Sequence, residues 1–164
     1  MKARTIVGAL LALTISSIGL TGTAAYAAPA RDAAAHCAQD LDSGALACAG
    51  SPEEAREELS LQASYAVARL WKDAGYLGQS RTYYKSSPCT STMNDLEIKV
   101  DVVPTGWNDK LSSVETDLST PNTRCSVRIF RDGHRNGPSF TIDNYTRNLG
   151  AFGWNDRASS WYIS

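Results

Sequence analysis

Two copies of one polar hexapeptide carry the residues of this chain that are best suited to binding a metal ion. Residues 108–113 and 155–160 both read Asn-Asp-x-x-Ser-Ser, and Gly-Trp precedes each copy. Each copy offers a carboxylate, an amide oxygen, a hydroxyl and main-chain carbonyls. Calcium takes about six to eight hard oxygen ligands of this kind in flexible geometry. The repeated hexapeptide therefore predicts calcium binding.

The same composition is also typical of turns. Asn, Asp and Ser favour turns through local hydrogen bonds from side chain to backbone, and for a single copy that interpretation would suffice. Two copies in the same context, each downstream of another repeated motif, favour calcium instead. The adjacent Trp107 and Trp154 are expected to lie in the core rather than at a binding surface.

The second repeated motif has the form aromatic-x4-aromatic-x-Gly. Its residues are Trp71, Tyr76 and Gly78 in the first copy and Phe130, Arg135 and Gly137 in the second. A chain that folds back in a tight hairpin needs Gly where φ is positive, and the aromatic side chains would cover the edge of the core. Arg135 replaces the second aromatic, which puts the packing of the second hairpin in doubt.

The spacing of the two motifs differs between the repeats. The hexapeptides are offset by 47 positions and the hairpin motifs by 59, so the first repeat carries an insertion of 12 residues. We place in it the polar segment 86–91, which contains Cys89.

These residues resemble the βγ-crystallin superfamily, whose Greek-key unit carries the hairpin motif followed by a distant Ser. Its microbial calcium-binding branch carries Asn/Asp-Asn/Asp-x-x-Ser/Thr-Ser. The resemblance covers about residues 66–164 and implies an all-β, two-motif Greek-key sandwich. It also implies two calcium ions, each between the hexapeptide of one repeat and backbone oxygen from the hairpin of the other. The ligands implied are Asn108, Asp109, Lys110 and Ser112 in one loop and Asn155, Asp156, Arg157 and Ser159 in the other, with Lys110 and Arg157 acting through their carbonyls.

The resemblance also assigns roles within each hexapeptide. Asp109 and Asp156 are the expected charged ligands, while the Asn before each of them could either ligate or brace the loop. Ser113 and Ser160 are expected to hydrogen-bond the neighbouring hairpin. Because the second hairpin has Arg135 in place of the second aromatic residue, the site of residues 108–113, which would depend on it, is expected to be the weaker one.

The four cysteines allow three disulfide pairings. We favour Cys37–Cys48, which closes a short local loop, and Cys89–Cys125, which would tie the insertion to the start of the second repeat. A zinc site is the alternative, but the sequence has no Cys-x-x-Cys pair and its two histidines lie at no recognisable ligand spacing.

The N-terminus predicts export. Lys2 and Arg4 precede an apolar run over residues 6–20, and a small-residue cleavage site ends at Ala27. The run is short for a membrane anchor, so we expect a secreted protein without membrane contact after cleavage. Cleavage would leave 14 basic and 17 acidic residues, a net charge of −3. With no basic patch, nucleic acid is not an expected partner.

The exported part divides into an extension and one β domain. Residues 28–65 are rich in Ala, Asp and Glu and are not expected to form sheet, although Ser51, Pro52 and Glu54 predict the start of a short helix. Residues 66–164 form the domain, with motif 1 over 66–120 and motif 2 over 121–164. Strands are predicted at 66–72, 80–85, 96–103, 114–117, 126–131, 139–143 and 159–163.

Three functional hypotheses follow. The first is a non-enzymatic calcium-stabilised binding or structural module, because no catalytic motif is present. The second is a secreted inhibitor of metalloproteases, since the layout is similar to that of peptidase inhibitor family I36, with an extracellular metalloprotease as partner. The third is a toxin- or adhesin-like effector on the same scaffold.

Overall fold

A computed structural model describes residues 36–60, 65–90, 98–101, 103–116, 118 and 125–164. The predicted leader over 1–27, the start of the extension and the predicted motif boundary at 120 and 121 lie outside these residues. None of the helices in the described ranges is long and apolar enough to cross a bilayer.

The described residues form two sheets. Their elements are β1 (His36–Asp40), β2 (Leu46–Ala49), α1 (Pro52–Glu58), β3 (Tyr65–Asp73), β4 (Leu77–Lys85), β5 (Ile98–Val100), β6 (Ser113–Thr116), β7 (Val127–Asp132), β8 (Asn136–Ile142), β9 (Tyr145–Thr146) and β10 (Ser160–Ile163). The first sheet has the order β2-β1-β4-β3-β6-β9, and the second has the order β5-β10-β7-β8. In these two sheets of the described residues, all strand pairs are antiparallel except that of β1 with β4.

Each repeat gives its third strand to the sheet of the other repeat. Strand β5 of the first repeat pairs with β10, and β9 of the second repeat pairs with β6, both antiparallel. The predicted all-β Greek-key sandwich is confirmed. The insertion lies between β4 and β5, whereas only two residues separate β8 from β9. Strand β9 was not predicted, because two residues are too few to show an alternating pattern.

The main core lies between the two sheets. Leu70, Tyr83, Ile129 and Trp161 are fully buried in it. Strand β5 shows the predicted alternation, with Ile98 and Val100 facing the core and the residue between them exposed. Trp107 is buried and Trp154 is partly buried against the same cluster, as expected for core residues.

The extension forms sheet, which corrects the sequence-based expectation. Strand β1 pairs with β2 in an antiparallel hairpin and adds to the edge of β4 in parallel. The unpaired backbone groups of that edge favour strand addition, and tertiary pairing overrides the weak β-propensity of an Ala-rich segment. The helix α1 begins at Pro52 as predicted, and Ser51 Oγ accepts a hydrogen bond of 3.2 Å from the Glu54 amide. Its Ala55 packs with Tyr84 in a second small core on the outer face of the first sheet.

Both favoured disulfides are present. Cys37 and Cys48 lie directly opposite each other in the β1–β2 hairpin, with Cα atoms 4.0 Å apart. Cys89 and Cys125 are buried and join the insertion to the residues before β7. The zinc alternative is wrong, because all four thiols are used in disulfides.

Candidate metal centre

Two folded hairpins of nearly equal geometry frame the candidate loops. Gly78 and Gly137 have φ of +69° and +73°, a conformation that L side chains rarely adopt. A Cβ on Gly78 would collide with the Asp73 carboxylate, and one on Gly137 would collide with that of Asp132. The backbone conformation therefore favours glycine at both positions, and a larger residue would in addition force the Asp side chain to turn aside.

The last Ser of each hexapeptide holds the hairpin of its own repeat. Ser113 Oγ donates to the Asp73 carbonyl at 2.7 Å and accepts from the Tyr76 amide at 3.1 Å. Ser160 Oγ likewise donates to the Asp132 carbonyl at 2.5 Å and accepts from the Arg135 amide at 2.9 Å. Both serines are fully buried, in agreement with the expected structural role.

The contacts of these two serines lie within their own repeats and do not test the expectation that each ion also meets the hairpin of the other repeat. Strand β6 runs beside β3 in one sheet, and the Ser112 amide donates to the Trp71 carbonyl at 3.0 Å. The start of β6 therefore lies next to the hairpin that follows β3. The segment before the loop also meets the second hairpin, where the His134 amide donates to the Asp101 carbonyl at 2.6 Å. The expected dependence of the site of residues 108–113 on that hairpin stays a prediction.

Arg135 takes the backbone role of the missing aromatic. Its φ of 60° is close to the 64° of Tyr76, and both amides bond to the matching Ser. The Arg135 side chain turns to Asp101 instead of covering the core edge, with Nε 2.8 Å from Oδ1. The second hairpin forms without the second aromatic residue, because the Ser160 hydroxyl holds its backbone.

The two hexapeptides pair with each other across the repeats. The Asp109 amide donates to the Ala158 carbonyl and the Asp156 amide to the Leu111 carbonyl, both at 3.1 Å. Asp109 and Asp156 have φ of 53° and 52°. Asp is among the non-glycine residues that best tolerate this left-handed region. Each loop therefore aligns the other through backbone contacts.

Within each hexapeptide the Asn braces the Asp. Asn108 Nδ2 donates to Asp109 Oδ2 at 2.7 Å, and Asn155 Nδ2 donates to Asp156 Oδ2 at 2.7 Å. The other carboxylate oxygen, Oδ1, faces the opposite repeat. Each Asn braces its Asp through Nδ2 and keeps Oδ1 as an oxygen that could ligate an ion, so the choice left open from the sequence stays open.

Across the repeats, each Asp meets the hydroxyl of the other loop. Ser112 Oγ lies 3.3 Å from Asp156 Oδ1, and Ser159 Oγ lies 3.4 Å from Asp109 Oδ1. The sequence motif did not indicate this exchange, because it places Asp and Ser of one loop only three positions apart. Asp and Ser of the motif are both offset by 47 positions between the two copies. This equal offset was the sequence signal for a two-fold arrangement.

The oxygen spacing fits a calcium ion. Two oxygens 3.3–3.4 Å apart subtend about 90° at an ion about 2.4 Å from each, as neighbouring ligands of one calcium do. The described residues contain no group of three or more His, Cys, Asp or Glu side chains that could hold a metal. Each site would therefore combine one carboxylate with neutral oxygens, such as the hydroxyl and the carbonyls of Lys110 or Arg157.

The doubled hairpin, each copy tied to a distant Ser, is the feature that the sequence resemblance implied, and the structure adds the exchange of third strands between two Greek-key motifs. The chain has the βγ-crystallin fold.

Comparison with solved structures gives several βγ-crystallin domains. A domain from Flavobacterium johnsoniae is 22% identical and covers 60% of this chain and 93% of its own, with a TM-score of 0.42. One from Clostridium beijerinckii is 18% identical and covers 59% and 95%, with a TM-score of 0.42. A βγ-crystallin from Ciona intestinalis is 24% identical and covers 57% and 94%, with a TM-score of 0.41. No family model and no curated protein matches the sequence.

Positive charge lies close to the first hexapeptide loop. Lys72 Nζ lies 5.4 Å from the centre of the Trp107 ring. Burial lowers the pKa of Lys72, and the nearby Lys110 lowers it further. The Lys110 and Arg157 side chains are exposed, so neither is buried in the space between the loops.

Proposed function

We propose that the protein is a secreted, non-enzymatic βγ-crystallin-type module that binds two calcium ions through its paired hexapeptide loops. The observation that carries this proposal is the pair of Asp–Ser contacts between the repeats, at 3.3 and 3.4 Å. Asp156 and Ser112 would serve one ion, and Asp109 and Ser159 the other.

Calcium would act chiefly on stability. The divalent charge would draw together oxygens from both repeats and so strengthen the contact between the two sheets. An ion that binds only the folded form, at about 100 times its dissociation constant, stabilises by about 2.7 kcal/mol. The braced Asp and the buried Ser113 and Ser160 hold the loop backbones near this arrangement before any ion binds, which lowers the ordering cost of binding.

Two observations support export. Both cysteine pairs are arranged as disulfides, which form and persist mainly in oxidising compartments. The N-terminal residues have the order of a secretory leader, with Lys2 and Arg4, an apolar run and the small-residue end at Ala27.

Calcium-dependent melting of the mature protein tests the calcium proposal. We expect calcium to raise the melting temperature and magnesium at equal ionic strength to raise it less, because magnesium demands stricter octahedral geometry. Asp109→Ala together with Asp156→Ala should abolish the rise. Asp143→Ala, which removes an exposed carboxylate outside the loops, is the matched control and should keep it. A wild-type melting temperature that calcium leaves unchanged would sink the proposal.

Protease inhibition is a second candidate, favoured by the way the insertion is presented. Residues 86–88 are exposed between the buried Lys85 and Cys89. The segment is held at one end by the Ser86 amide, which donates to Asp42 Oδ2 at 2.6 Å, and at the other by Cys89–Cys125. Such tethering lowers the entropy lost when a protease binds a loop.

An assay with a thermolysin-like metalloprotease tests the inhibitor hypothesis. Inhibition should be stoichiometric and should fall when Ser87 and Pro88 are replaced by Gly and Ala. Full protease activity at molar excess of the oxidised protein would rule inhibition out and would leave the calcium proposal untouched.

A further inference from the structure

A cavity of about 330 Å³ opens at the β6–β9 edge of the first sheet, and none of its lining residues belongs to either hexapeptide. It is lined by Tyr76, Glu115, Thr116, Leu118, Tyr145 and Arg147. We propose that this cavity binds a neutral pyranose ring, such as the terminal sugar of a glycan.

The sheet register builds the cavity. Glu115 on β6 lies directly opposite Tyr145 on β9, and Arg147 follows two residues later. Tyr76 reaches the same place from the first hairpin, where Ser113 holds its amide. The amide of Gly75 donates to the Arg147 carbonyl at 2.7 Å, which fixes the hairpin against this edge. The walls therefore come from backbone-anchored elements of both repeats.

The residues that line the cavity include hydrogen-bond donors and acceptors. Tyr76 Oη has no hydrogen-bond partner among the described residues and lies out of reach of solvent, so its side chain must turn toward the cavity before a ligand hydroxyl can bond to it. Burial raises the pKa of Tyr76, and the Glu115 carboxylate raises it further, so the phenol stays a donor. Glu115 is an acceptor whose Oε2 is oriented by Trp71 Nε1 at 3.1 Å. Arg147 lies with its guanidinium carbon 5.6 Å from the centre of the Tyr76 ring and adds further donors.

The charges favour a neutral ligand. One carboxylate and one guanidinium line the cavity, so an anion would meet Glu115 and a cation would meet Arg147. A polyol satisfies both, because each hydroxyl is both donor and acceptor.

The shape favours a ring with one apolar face. Tyr145 is 69% exposed and lines the cavity, so its ring offers a flat apolar surface to a ligand there. A pyranose presents C–H groups on its face and hydroxyls at its edge, so it would lie on Tyr145 with its edge toward the polar groups. The volume is near the lower end of ligand pockets, about 300–1,000 Å³, and suits one ring better than a long chain.

None of the proposed calcium ligands lines the cavity, so the two proposals fail independently. Trp71 provides a local reporter, because its indole N–H bonds to Glu115. The mature oxidised protein, labelled with ¹⁵N, is titrated with the methyl pyranosides of glucose, galactose, mannose and N-acetylglucosamine. We expect at least one of them to shift the Trp71 indole resonance saturably.

Matched aromatic variants locate the binding. Tyr145→Ala should weaken binding of the active pyranoside by about tenfold through loss of the ring surface, and Tyr145→Phe should bind within about twofold of wild type. Phe152→Ala removes another exposed aromatic, 57% accessible, and should leave the affinity unchanged. Both positions are exposed, so these variants are expected to fold. The absence of a saturable shift with all four probes overturns the proposal, as does wild-type affinity in Tyr145→Ala.

Discussion

Ser112 Oγ lies 3.3 Å from Asp156 Oδ1, although 44 residues separate them along the chain. The counterpart contact joins Ser159 to Asp109 over 50 residues at 3.4 Å. Both contacts exist only when the two repeats are docked. Any ion held between these oxygens would therefore favour the docked arrangement of the repeats rather than stabilise a single turn.

The hairpin glycines should be far less replaceable than other glycines with the same backbone conformation. Gly137 and Gly153 share a φ of +73°, but a Cβ on Gly153 meets no atom within 4 Å, whereas one on Gly137 meets the Asp132 carboxylate. Gly153→Ala should cost about 1 kcal/mol, from the left-handed conformation alone. Gly137→Ala should cost more, roughly 1–3 kcal/mol, because the Asp132 side chain must also turn aside. Urea denaturation measures both, and equal costs would show that the collision is relieved without loss.

The docking of the extension should weaken in mild acid through His36. Its Nδ1 lies 2.9 Å from Ser80 Oγ, and its ring packs edge-on against Trp71 at 5.9 Å. Burial lowers the pKa of His36 from 6.5, Arg69 lowers it further, and Glu53 opposes them.

Because the folded pKa is lowered, the unfolded chain binds the proton first as the pH falls. The contribution of His36 is complete above about pH 6.5 and is lost as the pH falls from there through the folded pKa. His36→Gln should flatten the stability profile in that window, measured by urea denaturation. His134→Asn is the matched control at the other, exposed histidine and should keep the wild-type profile. An unchanged slope in His36→Gln would contradict this assignment.

The two disulfides should differ in their contribution to stability. Their sequence separations are 11 for Cys37–Cys48 and 36 for Cys89–Cys125. By chain entropy, removing the first with paired Cys→Ala changes should cost about 3 kcal/mol and removing the second about 4 kcal/mol. Chemical denaturation of the two paired variants measures the difference. A larger loss for Cys37–Cys48 would show that the β1–β2 hairpin depends on its crosslink more than loop length predicts.

Much of the fold was predictable because it repeats. Trp71 and Gly78 recur as Phe130 and Gly137, and a doubled pattern fixes hairpins and register better than a single one. The extension was mispredicted, since β1 owes its conformation to the edge of β4 and not to its own Ala-rich composition.

The residues of the candidate site were predictable from the sequence. Which Asp of one loop lies beside which Ser of the other loop was not. A linear motif groups Asp109 with Ser112, while the antiparallel docking of the loops sets Asp109 beside Ser159. The cavity around Tyr145 gave no signal at all, because its residues lie far apart in the sequence and meet only through the pairing of β6 with β9.

Isothermal titration calorimetry counts the calcium ions that each variant binds. It therefore tests directly whether Asp and Ser from different repeats serve the same ion. The account predicts two ions for the wild-type protein and one for Asp156→Ala. Adding Ser112→Ala to Asp156→Ala should remove no further site, because both residues serve the same ion. Adding Ser112→Ala to Asp109→Ala should impair both sites. If Asp109 and Ser112 instead affect one shared site, the exchange of ligands between the repeats is contradicted. If the wild-type protein binds no calcium, the calcium proposal itself is contradicted.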